Sequence, residues 1–400
     1  MSRRFSAGIL LAAIAIVVVL VWPCSSAAAA PRAKPAQEGK AAENDPFEVP
    51  DGTIEELQKY IDGLNKIQPS SSLRPAVAEL HKKRAAAQLT ACAKILAARP
   101  TPEQAQAAIR VKVAALVLLG RLGDATVQAK LEATVGQVEK LGLKEMVRNV
   151  QLAALENRGE QAAAMEDQAY GEFVERLKGF LTAGPIDGPS ADLAVEVAMA
   201  AERSNRPALA ERAYRELGEV LAASKDEKVA GTAAPMLGAA RRLDLIGKPF
   251  ILDGSTVGGK RLDWKKYRGK VVLVDFFATW CGPCREEVPN ILKCYRAYRK
   301  RGFDVIRISI DRDRKAIEDF VEKEKQPWTI LLDRNEARGT DKSMATYYGI
   351  FTIPQMILVG KDGRVLALDV RGERLGKKLE EVLGAVGGET GTGEAEKVAK

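Results

Sequence analysis

Apolar residues are distributed unevenly along this chain, and each change in their pattern marks a change in the predicted structure. Gly8 to Trp22 is an unbroken apolar run behind Arg3 and Arg4. It is shorter than the roughly twenty residues a spanning helix needs, and a small-residue stretch, Ser25 to Ala30, follows it. Residues 1–30 therefore predict an export signal, with an uncleaved anchor as the alternative. Residues 31–50, rich in Ala, Pro, Lys and Glu, have no apolar period and predict a flexible linker. From 51 to 243 Ala, Leu, Glu and Arg dominate, which predicts an all-α domain. From 245 to 385 β-branched apolar runs alternate with helical stretches, the pattern of an α/β domain. Residues 386–400 are Gly-, Glu- and Thr-rich and predict a disordered tail.

Punctuation within the helical stretch is legible. Thr101-Pro102-Glu103-Gln104 predicts a helix start, with Thr101 as cap and Gln104 completing a capping box. Residues 184–190 read as a loop, after which Ser190 caps the next helix. Gly123, Gly142 and Gly159 read as helix stops. Gln168-Ala-Tyr170 and Arg212-Ala-Tyr214 echo one another about forty-four residues apart. Helix pairs at such a period suggest a helical-repeat solenoid, and an irregular bundle remains equally open. No residue of this domain looks catalytic. His81 reads as a surface residue and Cys92 as a small buried hydrophobe.

The second domain opens with a β-hairpin lead-in over 247–270, turning at Gly258-Gly259. Val271 to Phe277 then predicts a buried strand, and a helix follows from Arg285. Beyond it the pattern predicts a strand over 303–311, a helix over 314–325, a strand over 329–332 and a short helix over 342–348. Strands over 355–359 and 365–370 and a last amphipathic helix over 373–383 complete the domain.

The candidate chemistry sits where the first of these strands gives way to its helix. Cys281 and Cys284 flank Gly282 and Pro283 there. If Cys281 caps the helix, unpaired N–H groups and the helix dipole favour its thiolate. Cys281 then attacks, and Cys284 resolves the mixed disulfide. The bland alternatives are a structural disulfide or half a zinc site. Zinc needs two further ligands, and the other cysteines and the lone His81 show no paired spacing, so no metal is expected. Asp275, six residues before Cys281, is a carboxylate in an otherwise apolar strand. Burial raises such a group and makes it a proton acceptor for Cys284.

Trp280-Cys281-Gly282-Pro283-Cys284 after a hydrophobic strand resembles the active-site signature of the thioredoxin superfamily. Residues 245–383 follow thioredoxin order, and the lead-in ending at Gly269-Lys270 resembles the exported TlpA/ResA branch. The fold expected is therefore two-domain: an N-terminal all-α helical-repeat or bundle domain, and a C-terminal α/β thioredoxin-like fold with an N-terminal β-hairpin extension. The resemblance makes Cys281–Cys284 a redox disulfide and Ile353-Pro354 the cis-proline loop, whose backbone pairs with a substrate strand. It also makes Glu287 an active-site carboxylate, against the alternative of an acidic first turn complementing the dipole. Trp280 shields the site and meets partners. Gln355 departs from the threonine usual after this proline.

Composition changes the picture little. The 61 Lys and Arg against 53 Asp and Glu give a net charge of +8, but the basic residues are scattered, and no nucleic-acid partner is expected. No nucleotide-binding motif appears and no cofactor is expected, so electrons would come from a membrane thiol donor. A Pro-x-x-x-Thr-x-x-Cys pattern is absent, which argues against a peroxidase. The expectation is an exported thiol:disulfide oxidoreductase, periplasmic or tethered to the membrane through its N-terminus, that reduces protein disulfides. Cytochrome c maturation is one destination the resemblance implies. A disulfide oxidase or isomerase is the rival enzyme, and a scaffold whose helices bind partner proteins is the non-catalytic rival. The redox domain is expected to fold and work alone from about Arg241.

Overall fold

Among the described residues nine α-helices precede the sheet, and their starts and stops follow local chemistry. They are α1 (Ile54–Leu64), α2 (Arg74–Ala97), α3 (Pro102–Arg121), α4 (Val127–Lys140), α5 (Lys144–Gly159), α6 (Asp167–Thr182), α7 (Gly188–Arg203), α8 (Pro207–Ala222) and α9 (Glu227–Leu243). The computed structural model describes residues 45–333 and 343–385. The predicted signal, most of the linker and the predicted tail lie outside them. Every element described belongs to the unit that begins at Phe47.

Thr101 caps α3 in a capping box: its Oγ1 accepts from Gln104 N–H (3.3 Å) and Gln104 Oε1 accepts from Thr101 N–H (3.0 Å). At α7 the cap is Asp187, not Ser190. Asp187 Oδ1 accepts from Ser190 N–H (3.0 Å) and from its hydroxyl, so the helix begins three residues earlier than expected. Gly123 and Gly142 take positive φ after their helices, whereas Gly159 is the last helical residue of α5. A side chain at 159 would press on Leu193, so close packing selects that glycine.

The described end of the linker is tied down. Lys94 Nζ donates to the carbonyls of Val49 (3.2 Å) and Pro50 (3.1 Å) and pairs with Asp51 (2.7 Å). His81 is partly buried, and its enclosed Nδ1 has no hydrogen-bond partner among the described residues. Cys92 is fully buried, and burial pushes its thiol up to about 12. The echoed tyrosines both face inward but make different contacts. Tyr170 donates to the Val197 carbonyl (2.9 Å), and Tyr214 donates to Glu202 (3.0 Å).

The described residues beyond α9 include one six-stranded sheet with strands β1 (Ser255–Thr256), β2 (Val271–Phe277), β3 (Phe303–Ser309), β4 (Thr329–Leu332), β5 (Gln355–Val359) and β6 (Val365–Leu368). Their spatial order is β1-β4-β3-β2-β5-β6. β2, β3 and β4 are parallel, and β1, β5 and β6 join antiparallel to their neighbours. The lead-in turns at Gly258-Gly259, where Thr256 N–H donates to the Lys260 carbonyl (2.8 Å), and it gives the sheet only two residues. β2 is buried at all seven positions, as a central strand covered on both faces must be. Leu273 and Phe277 pack under α10 (Gly282–Tyr298) and α13 (Glu373–Leu383). Val272, Val274 and Phe276 face the lead-in and α12 (Met344–Tyr347). α11 (Arg314–Glu324) links β3 to β4.

α9 docks on α12 at backbone distance. A methyl group on Gly238 would overlap the Thr346 carbonyl oxygen, and one on Gly349 (φ +58°) would overlap the backbone of Pro235 and Ala239. Gly→Ala inside a helix ordinarily stabilises by about 1 kcal/mol. At Gly238 the sign reverses: Gly238→Ala is expected to cost about 1–3 kcal/mol, as overpacking does. Urea unfolding of the full chain checks this, and a stabilised variant would mean the two domains do not pack this closely in solution.

Candidate active site

The site is built on the turn from β2 to α10. Cys281 is the N-cap of α10 in extended geometry, and its Sγ accepts from the Cys284 N–H at 3.2 Å. Sulfur thus occupies the place where an oxygen usually satisfies the first free N–H groups. Pro283, in the first turn, gives up an N–H that would have had no helical partner. The two cysteines are joined in a disulfide with Cα atoms 5.3 Å apart. Both are buried, while Gly282 and Pro283 between them are exposed.

Across from the disulfide, the Ile353–Pro354 peptide bond is cis, and the Ile353 carbonyl oxygen lies 3.9 Å from Cys281 Sγ. Trp280 is 71% exposed. It borders an open groove of about 690 Å³ whose lining includes Ile310, Asp313 and Ala316. The loop before Trp280 is fixed by Asp311, which accepts from Thr279 N–H (3.0 Å), Thr279 Oγ1 (2.7 Å) and Ser309 Oγ (2.6 Å). The sequence reading missed Asp311. Its signal was Ser309-Ile-Asp311 at the end of an apolar strand, a local side-chain turn.

Asp275 shares its strand face with Leu273 and Phe277, the face that α10 covers. It is not alone there. Arg307 stands opposite it in the β2–β3 register and donates Nε to Asp275 Oδ2 at 2.7 Å. Both side chains are sealed from water, at 0% and 1% exposure. The Arg307 guanidinium also stacks on the Phe277 ring at 3.8 Å and donates to Gln326 Oε1 (3.2 Å). Asp275 Oδ1 and Arg307 Nη2 have no hydrogen-bond partner among the described residues. Burial outweighs the attraction of Arg307 and lifts the Asp275 carboxyl to about 6, with Glu287 adding to the rise. The sequence reading took Asp275 for an isolated acid. The alternation in β3 that puts Arg307 on the same face as Phe303 and Val305 was the available clue.

Glu287 is held away from a bare first-turn role. Its Oε1 accepts from Gly372 N–H (2.8 Å) and Asn290 Nδ2 (2.6 Å), and Asn290 also donates to the Gly372 carbonyl (3.0 Å). The carboxylate therefore clasps α10 to the start of α13. Burial raises the Cys294 thiol as it does Asp275, and the nearby Glu287 carboxylate adds to both. Cys294 is a free, buried cysteine.

A strand-to-helix disulfide faced by a cis-proline loop on a mixed sheet defines a thiol–disulfide oxidoreductase of thioredoxin-like fold. A family model described as Redoxin matches residues 230–383. Thiol-disulfide oxidoreductase ResA of Bacillus thuringiensis subsp. konkukian is 30% identical over 125 residues, which is 31% of this chain and 68% of that protein. ResA of Bacillus anthracis is 30% identical over 122 residues, 30% of this chain and 66% of that protein. The thioredoxin domain of a thiol-disulfide oxidoreductase from Bacteroides vulgatus is 29% identical, with a TM-score of 0.32, covering 34% of this chain and 97% of that one. The chain belongs to the TlpA/ResA-type thiol–disulfide oxidoreductases.

Proposed function

We propose that this oxidoreductase is exported and reduces protein disulfides, with Cys281 as nucleophile and Cys284 as resolving thiol. The observation that carries the reading is the Cys281 sulfur at the N-terminus of α10, 3.9 Å from the Ile353 carbonyl. In the reduced protein that position favours a thiolate. The thiolate attacks one sulfur of a substrate cystine, forms a mixed disulfide and expels the first substrate thiolate. Cys284 then attacks Cys281 Sγ, closes the internal disulfide and expels the second, so two electrons pass to the substrate. Asp275 takes the proton from Cys284; a carboxyl near 6 is poised for transfer at neutral pH. Ile353 pairs by its backbone with the substrate strand, Pro354 fixes that edge, and Trp280 covers the substrate's flank. Glu287 sets the charge felt by Asp275.

Arg3, Arg4 and the apolar run to Trp22 support export, periplasmic or anchored at the membrane. A membrane thiol donor re-reduces the pair there. The helical domain handles partners, and cytochrome c maturation is one destination the resemblance implies. Equilibration of the Cys281–Cys284 pair against thiol buffers tests the direction. A reduction potential near the roughly −270 mV of thioredoxin is expected. A value near about −120 mV, typical of strong oxidants, would replace the reductase with an oxidase.

A further inference from the structure

The helical domain reaches the active site through one short stretch of chain. After α12 ends at Tyr347, residues 348–353 run directly into cis Pro354. Arg242, only 2% exposed, donates Nε to the Tyr348 carbonyl (3.1 Å) and is ion-paired with Glu202 (2.8 Å). Glu202 also accepts from the Tyr214 hydroxyl (3.0 Å). The Tyr214 ring lies flat on the Phe351 ring, with centroids 5.6 Å apart and planes 5° from parallel. Phe351 packs against the core of the C-terminal helices of the array, although it belongs by sequence to the redox domain. Two residues on, the Ile353 carbonyl meets Cys281 Sγ.

Loops that carry function are ordinarily the most mobile parts of a fold. This one is gripped at two points, Tyr348 and Phe351, within six residues of Pro354. The buried arginine is held from its other side by Glu202, which orients its bond to the Tyr348 carbonyl. The ring stack fixes Phe351 against α8. Neither grip touches the cysteines.

We propose that Tyr214 and Arg242 are positioning residues for disulfide exchange: through Phe351 and Tyr348 they hold the Ile353–Pro354 edge where a substrate strand pairs beside Cys281. This rests on the reading of Ile353 as the substrate-pairing edge. A polypeptide disulfide then depends on the clamp, and a small disulfide with no strand to pair does not.

The test compares insulin with hydroxyethyl disulfide as substrates of the full chain. In Phe351→Ala and Tyr214→Ala, KM for insulin is expected to rise roughly three- to tenfold, the worth of one aromatic pair. Kinetics with hydroxyethyl disulfide and the reduction potential should stay unchanged. Tyr214→Phe keeps the ring and should restore the insulin KM. The double alanine variant should be no worse than either single one, since both remove the same contact. Equal losses on both substrates, or additive losses, would overturn the proposal. Tyr214 is fully buried and its alanine variant could unfold the helices; Phe351 is half-buried, so Phe351→Ala carries the test alone in that case. Amide hydrogen exchange over 349–355 supplies a readout independent of activity. It should quicken in Phe351→Ala, and unchanged exchange would refute the clamp. If exchange quickens but insulin kinetics do not move, the substrate-pairing reading of Ile353 fails and takes the proposal with it.

Discussion

Cys281→Ser is expected to abolish disulfide exchange, and Cys284→Ser to leave the protein stalled in covalent complex with its substrate. The asymmetry follows from where the two sulfurs lie. Cys281 Sγ accepts an N–H at the helix terminus and faces the cis-proline loop, whereas Cys284 is fully enclosed one turn further on. On the proposed mechanism the first therefore meets the substrate cystine. Loss of a covalent nucleophile typically costs a factor on the order of 10⁴ or more, and serine, essentially un-ionised at neutral pH, does not replace it. With Cys284 gone, the first attack proceeds but nothing attacks Cys281 Sγ in turn. The mixed disulfide should accumulate as a band on a non-reducing gel and release its substrate on adding dithiothreitol. Mildly acidic alkylation of the reduced protein should label Cys281 before Cys284. The reverse order, or a trapped complex formed by Cys281→Ser, would exchange the two roles.

What the sequence disclosed and what it hid divide along a physical line. β2 and α10 were legible because their signals are local: a β-branched run, then a capping sulfur and a proline in the first turn. The capping box at Thr101 was legible for the same reason. Ser190 misled because Asp187, three residues earlier, caps the helix with a charged acceptor, and Ser190 donates to it from within the first turn. Arg307 was hidden because its partner is thirty-two residues away in sequence and adjacent only through β2–β3 register. The domain contact was hidden more deeply still. Gly238 lies in mid-helix and Gly349 in a turn, and nothing in either neighbourhood says that one abuts the other. Phe351 reads as an apolar residue before a strand, yet it completes the core of helices more than a hundred residues upstream. The expectation that the redox domain stands alone from Arg241 is revised accordingly. Cutting there removes Tyr214, Glu202 and most of α9, exposes Phe351, and leaves Arg242 without the partner that neutralises it.

Asp275→Asn is expected to slow turnover and to stabilise the protein at once, and the pairing with Arg307 makes the second effect the more discriminating. Two considerations oppose each other. Breaking a buried ion pair from one side commonly costs about 3–5 kcal/mol, because the surviving charge is stranded. Against that, the Asp275 carboxyl is lifted from 3.8 to about 6, which means that burial already outweighs the attraction of Arg307. At about 1.4 kcal/mol per pKa unit, ionised Asp275 costs the folded state roughly 3 kcal/mol at neutral pH. Arg307 is also not stranded by asparagine: it keeps its stack on Phe277 and its bond to Gln326, and an amide oxygen can accept from Nε. Burial therefore decides the sign. Between pH 4 and 6 the folded protein holds a proton on Asp275 that the unfolded chain has released, so stability falls as pH rises through that window and levels off above it. Asp275→Asn should flatten this decline and be more stable than the wild type at pH 7, by on the order of 1–3 kcal/mol. Arg307→Met should do the opposite and destabilise strongly at pH 7, since it strands the acid. In kinetics, Asp275→Asn should leave formation of the mixed disulfide nearly intact and slow its resolution by about 10²-fold, the usual worth of a positioned base. Urea unfolding at several pH values reads the first effect and single-turnover kinetics the second. A variant less stable than the wild type at pH 7 would show that the ion pair, not burial, governs Asp275, and equal slowing of both half-reactions would remove it from the proton path.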